Sequence, residues 1–141
     1  MGRRKKKLKL PLYSSKVSAG FPSPADDFVE KALDLNDLII KHPQATFFVR
    51  VTGNSMINAN IRDGDILVVD RALEPKEGRI VIANVNGEFV LKRIRKKDGK
   101  LFLYPENSDF NPIEIKDGME CEIWGIVTYV IHKILWLKSG I

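Results

Sequence analysis

A mainly β fold is predicted for this chain of 141 residues: a compact β domain of short antiparallel strands, behind one or two short helices and a flexible N-terminal arm. Three observations lead there. From Thr46 onward, β-branched and aromatic residues gather in short runs; Asn86-Gly87 and Asp98-Gly99 punctuate those runs; and helical spacing is confined to the residues before Pro43. A chain of this length buries roughly two thirds of its unfolded surface, enough to fold as one domain without metal or disulfide. Its single Cys121 cannot form an internal disulfide. No signal-peptide pattern or membrane-length apolar run is seen, so a cytoplasmic protein without membrane contact is expected.

Residues 1–23 combine a Lys/Arg block with Leu8, Leu10 and Leu12, then Ser, Gly and Pro. That composition lacks the periodic apolar surface of a packed core and reads as an arm, with the globular domain covering 24–141. Ser23-Pro24-Ala25-Asp26 offers an N-cap, a first-turn proline and an early acid, followed by Phe28, Val29, Ala32 and Leu33 at helical spacing, so a short helix is expected there. Asp34 can cap a second one with Leu35, Leu38 and Ile39 on one face, stopped at His42-Pro43 because proline disfavours α geometry in the residue before it. Strands are expected over 46–52, 66–69, 79–85, 88–94, 101–104 and 122–131. Asn-Gly and Asp-Gly suit tight hairpins because both turn positions tolerate positive φ, so successive strands should be antiparallel, in a barrel-like or folded-ribbon arrangement.

Charge is distributed unevenly. Of 23 basic side chains seven precede Ala19, with no acid among them, leaving 16 basic against 18 acidic and a net of −2 in the remainder, although the whole chain carries +5. The globular part is therefore not basic. At the other end Leu135, Trp136 and Leu137 bring apolar surface that either a partner or the domain's own core would cover. Trp124 and Cys121 lie in a strand-like run and read as core residues.

Gly53-Asn54-Ser55-Met56 follows a strand directly, which puts Ser55 on a tight turn with neighbouring backbone N–H groups able to stabilise an oxyanion. The plain alternative is a serine in a polar turn. A nucleophilic serine needs a base, and neither His42 beside its proline nor His132 in an apolar tail has supporting context. Lys92 has more. In Phe89-Val90-Leu91-Lys92-Arg93-Ile94, strand alternation sets it between Val90 and Ile94, while Arg93 falls on the other face. Burial disfavours an ammonium ion and lowers a lysine pKa. An ordinary lysine is neutral in only about one molecule in a few thousand at pH 7, whereas a desolvated Lys92 can accept the Ser55 proton. The alternative is an edge-strand lysine whose amine snorkels to water.

Ala19-Gly20-Phe21-Pro22-Ser23-Pro24, Gly53-Asn54-Ser55-Met56, the Asp63-Gly64-Asp65 turn and Gly87-Glu88-Phe89 leading to Lys92 occur in the order found in the UmuD family of SOS-mutagenesis proteins. The sequence resembles that family from about Leu10 to Lys133. These proteins group with LexA-type repressors among Ser-Lys self-cleaving proteins, and the resemblance implies a mostly β catalytic domain with a mobile arm. Carried over, it makes Ser55 the nucleophile, Lys92 the general base and Ala19-Gly20 the scissile pair; the backbone N–H groups of Asn54 and Ser55, on the same turn, are the expected oxyanion donors. UmuD itself has Cys before the Gly, and LexA-type proteins commonly have Ala. No metal or organic cofactor is implied. The implied partners are a second copy in a homodimer, a RecA filament on single-stranded DNA that stimulates cleavage, and a UmuC-like translesion polymerase subunit joined by the shortened form. The basic arm adds an expectation of weak, nonspecific DNA contact.

Three rival readings follow from the same residues. A non-catalytic polymerase accessory or DNA-binding module would leave Ser55 and Lys92 structural. A signal peptidase also uses Ser and Lys but needs a membrane anchor, which these residues lack. A LexA-type repressor needs a helix-turn-helix domain, for which the arm is too short.

Overall fold

The computed structural model describes residues 6–13 and 29–135. The chain separates into two compact units, Met1–Lys41 and His42–Ile141, so the division lies beyond the one read between residues 23 and 24.

The first unit holds a hairpin. Strand β1 (Leu10–Tyr13) pairs antiparallel with β2 (Val29–Leu33), in a register that sets Leu10 opposite Leu33 and Leu12 opposite Lys31. The helix expected through Val29, Ala32 and Leu33 is thus corrected to a strand over 29–33, and its start at Ser23-Pro24 lies outside the described residues. An isolated two-turn helix leaves most of its backbone groups without intrahelical partners, whereas pairing with Leu10–Tyr13 satisfies them across the hairpin. Part of the segment read as an arm is accordingly strand. Helix α1 (Leu35–Ile39) forms where Asp34 was expected to cap it: one carboxylate oxygen accepts from Asn36 N–H at 2.9 Å and the other from Leu8 N–H at 3.0 Å. Lys7 pairs with Asp37 at 2.8 Å, tying the residues before β1 to this helix.

The second unit is a seven-stranded antiparallel sheet. Its strands are β3 (Thr46–Arg50), β4 (Ile66–Asp70), β5 (Ile80–Val85), β6 (Glu88–Lys97), β7 (Lys100–Tyr104), β8 (Ile113–Ile115) and β9 (Cys121–Ile131), in the order β3-β4-β9-β5-β6-β7-β8. Six match runs visible in the sequence. The seventh, β8, is an Ile-Glu-Ile segment too short for alternation to register, and it forms by pairing with Leu101–Leu103. Asn86 and Asp98 take φ of 51° and 53° at the β5–β6 and β6–β7 turns, the geometry the hairpin dipeptides announced.

Strand β9 organises the sheet. Its C-terminal half pairs with β4 and its N-terminal half with β5, each ladder interrupted by a register shift, so the ribbon folds over two cores. One core gathers Val51, Met56, Ile61, Leu67, Val69 and Ile82; the other gathers Val81, Ala83, Val85, Ile94, Leu103 and Ile126. Alternation along β5 sends Ile82 to the first and its neighbours to the second. Beyond β9, Ile134 and Leu135 are exposed, and Trp136 and Leu137 lie outside the described residues.

Candidate active site

Strand β3 runs into Val51, whose N–H donates to the Asp65 carbonyl and whose carbonyl accepts from Gly64 N–H, both at 2.8 Å. The Asp63-Gly64-Asp65 turn therefore grips the chain just before it leaves the sheet. Gly53 then adopts φ 87°, which a side chain would resist, and its N–H donates to Asp63 Oδ1 at 2.8 Å. Two residues past Ser55's neighbour Asn54, Met56 is buried to 1% exposure in the first core. Ser55 is held between these two fixed points, itself half-buried. Asp65, buried, accepts from Arg62 N–H at 2.8 Å and lies 2.6 Å from His132 Nδ1, so His132 steadies the turn. His42 similarly lies 2.6 Å from the buried Asp70.

A second loop, residues 105–112 between β7 and β8, clasps the Ser55 turn from outside. The Asn54 carbonyl accepts from Asn107 Nδ2 at 2.7 Å and from Ile57 N–H at 3.2 Å; the Ser55 carbonyl accepts from Glu106 N–H at 2.9 Å; and Asn58 N–H donates to the Glu106 carbonyl at 2.7 Å. Among the described residues, no acceptor takes the N–H of Asn54 or Ser55, which leaves both as candidate oxyanion donors.

Lys92 occupies the middle of β6, opposite Val81, with 8% of its surface exposed. Burial holds its amine below the ordinary 10.5, and desolvation is the cause. Among the described residues it joins no ion pair; its Nζ lies 5.7 Å from the centroid of the Phe110 ring. Arg93 is treated differently, as alternation requires: Nε donates to Glu106 Oε1 at 2.5 Å and Nη1 to the Gly78 carbonyl at 2.6 Å.

Ser55 and Lys92 line one open cleft of about 550 Å³ whose walls include Val49, Leu67, Ile82, Phe89, Leu91 and Trp124. Trp124 is thus a cleft wall as much as a core residue, with Phe89 edge-on at 5.0 Å and the Arg71 guanidinium 5.2 Å from its ring. The cleft does not include His42, His132 or Cys121, and burial pushes the Cys121 thiol up, away from the reactive thiolate. A largely apolar trough carrying the Ser55 hydroxyl and one desolvated amine suits an extended peptide with small side chains at the reacting bond. Ala19 and Gly20 lie outside the described residues, in the connection that joins β1 to β2. Phe110, Glu106 and Asn107 were not singled out by sequence; Asn107-Ser108-Asp109 signals a turn but not what that turn touches.

The fold is a mainly β domain with an open cleft that carries Ser55 and Lys92. Residues 11–128 match the family described as Peptidase S24-like, and the chain belongs to that family. It is 44% identical over 121 residues to Protein MucA of Salmonella typhimurium, covering 85% of this chain and 82% of MucA. It is 45% identical over 139 residues to Protein ImpA of Escherichia coli, covering 91% and 87%. Identity to the LexA repressor of Aliivibrio salmonicida is 37% over 131 residues, covering 92% of this chain but 62% of the repressor. The chain is accordingly a UmuD-like, SOS-related serine peptidase of the self-cleaving kind. Among the described residues no helix is long and apolar enough to cross a membrane.

Proposed function

We propose that the protein cuts its own Ala19-Gly20 bond. With the junction docked in the cleft, neutral Lys92 removes the Ser55 hydroxyl proton as Oγ bonds to the Ala19 carbonyl carbon. The N–H groups of Asn54 and Ser55 receive the oxyanion. The Ala19–Gly20 C–N bond then breaks, the proton passes from Lys92 to the Gly20 amine, and water, deprotonated by the same lysine, hydrolyses the acyl-serine. A junction on the same chain, or on the partner within a homodimer, is already tethered to the cleft, so little bimolecular encounter entropy opposes the step.

The observation that carries this reading is the shared cleft: one serine on a clamped turn and one lysine stripped of water and of counter-charge. Its biological frame rests on family membership. A RecA filament on single-stranded DNA stimulates the cut, and residues 20–141 act as a homodimer with a UmuC-like translesion polymerase subunit. Exposed apolar residues on and after β9, among them Val130, Ile131, Ile134 and Leu135, support a second copy as the dimer partner.

Intact-mass analysis of wild-type, Ser55→Ala and Lys92→Ala chains, incubated at pH 7.5 and pH 10 with and without an activated RecA filament, tests this. Fragments 1–19 and 20–141 should come from the wild type alone. Three uncut chains under every condition would return Ser55 and Lys92 to structural roles and favour the accessory-module reading.

A further inference from the structure

The loop over residues 105–112 touches both ends of the dyad. Asn107 and Glu106, consecutive in sequence, hold the carbonyls of Asn54 and Ser55, also consecutive. Phe110, three residues on, places its ring by the Lys92 amine. Neither hydrophobic core includes Phe110, which is 46% exposed, so core packing does not explain its position. The loop is itself moored to the strand of the base, since Arg93, next to Lys92, pairs with the Glu106 carboxylate.

We propose that Asn107 and Phe110 are positioning residues for self-cleavage, Asn107 aiming the oxyanion donor at Ser55 and Phe110 keeping water from the Lys92 amine. The inference rests on the Ser55-Lys92 reading and adds to it how the two are set. A trans peptide is a rigid plane with its C=O and N–H on opposite edges. Gripping the Asn54 carbonyl therefore fixes where the Ser55 N–H points, and gripping the Ser55 carbonyl fixes the plane on the other side of its Cα. With both planes held, the backbone torsions of Ser55 are set before substrate arrives, the preorganisation on which an oxyanion site depends. In this proposal the ring of Phe110, 5.7 Å from Nζ, displaces solvent from the amine, and that desolvation outweighs the attraction of the ring face for the ammonium form.

Few charges compete for Lys92. Strand β5 across from it carries none between Ile80 and Val85. Of the loop's two acids, Glu106 is engaged by Arg93 and Asp109, next to Phe110, is exposed; Arg50 on the cleft wall donates to the Gly64 carbonyl at 2.9 Å. Along β6, Glu88 and Arg95 lie near either end of the strand. Solvent access is then the main variable at the amine, and Phe110 controls it.

The two roles separate in the pH profile of self-cleavage between pH 7 and 11, read as loss of intact mass, with circular dichroism reporting the folded fraction of each variant. Asn107→Ala should lower the high-pH plateau by about tenfold and leave its midpoint in place. Asn107→Asp keeps the acceptor that Asp109 N–H uses at 2.9 Å but cannot donate to Asn54, so it should recover none of the plateau; a purely structural Asn107 would be rescued. Phe110→Ala should move the midpoint up by about half a unit to one unit toward that of an ordinary lysine, and Phe110→Leu should restore it. Wild-type plateau with Asn107→Asp, or a midpoint that stays or falls with Phe110→Ala, overturns the inference. An uncut wild type, or a cut Ser55→Ala chain, overturns instead the dyad on which it rests.

Discussion

Lys92 sets catalysis against stability. Its folded pKa is lowered by burial, so between that value and 10.5 the unfolded chain binds more protons at this site than the folded one. Folding stability should therefore rise with pH through that window, and below it the folded state carries the full cost of a desolvated ammonium ion. Replacing the amine with an apolar group of similar length removes the cost. Lys92→Met should raise the melting temperature at pH 7, with a gain that shrinks toward zero near pH 10.5, while abolishing self-cleavage. Thermal melts at pH 7, 9 and 10.5 in the Ser55→Ala background check it; a gain independent of pH would mean that the amine is solvated in the folded protein. The lysine's separation from Arg93 was legible in the alternation of Val90, Lys92 and Ile94. Phe110 was not, because the contact joins residues eighteen apart through a loop whose path only the folded sheet determines.

At the scale of elements, local signals succeeded where a strand carries its own pattern and failed where pairing creates it. Asp34 capped its helix as written, and six strands of the larger sheet fell on β-branched runs. Strand β2 was misread because Val29, Ala32 and Leu33 fit helical spacing as well as a five-residue strand, and the choice was made by Leu10–Tyr13, distant in sequence. The same dependence on partners appears at Gly125, on the strand that joins the two cores. A Cβ there would lie 2.5 Å from Val69 Cγ1, a side chain fully buried in the first core and without room to yield. Gly125→Ala should destabilise the fold by about 2 kcal/mol through overpacking, seen as a lower urea midpoint with unchanged slope. An unchanged midpoint would mean that β9 can shift away from β4 at little cost, which would weaken the description of β9 as the strand that fixes the ribbon's fold.

For the whole molecule, the position of the scissile pair matters as much as its chemistry. Strand β1 precedes Ala19 and β2 follows Gly20, so a cut between them turns a hairpin into two pieces held by four register pairs, the exposed Lys7–Asp37 ion pair and the Leu8 N–H bond to Asp34. A two-stranded ribbon of that size is marginal even when covalently closed, so fragment 1–19 should leave and β2 should lose its partner. All seven cations before Ala19 leave with it, taking the net charge from +5 to −2. Each of those cations that contacts a nucleic-acid phosphate contributes about 0.9 to the slope of log K against log salt. The uncut Ser55→Ala chain should therefore bind nonspecific duplex DNA weakly and lose that binding steeply as salt rises, whereas residues 20–141 should bind little at any salt. Fluorescence anisotropy with a labelled duplex, titrated at several salt concentrations, compares the two, and size-exclusion chromatography of the cut protein shows whether the fragment departs. Equal affinities for the two forms at low salt would rule out a DNA-contacting arm. A fragment that remained bound through the column would mean that cutting alone does not expose β2, and that a partner must displace β1.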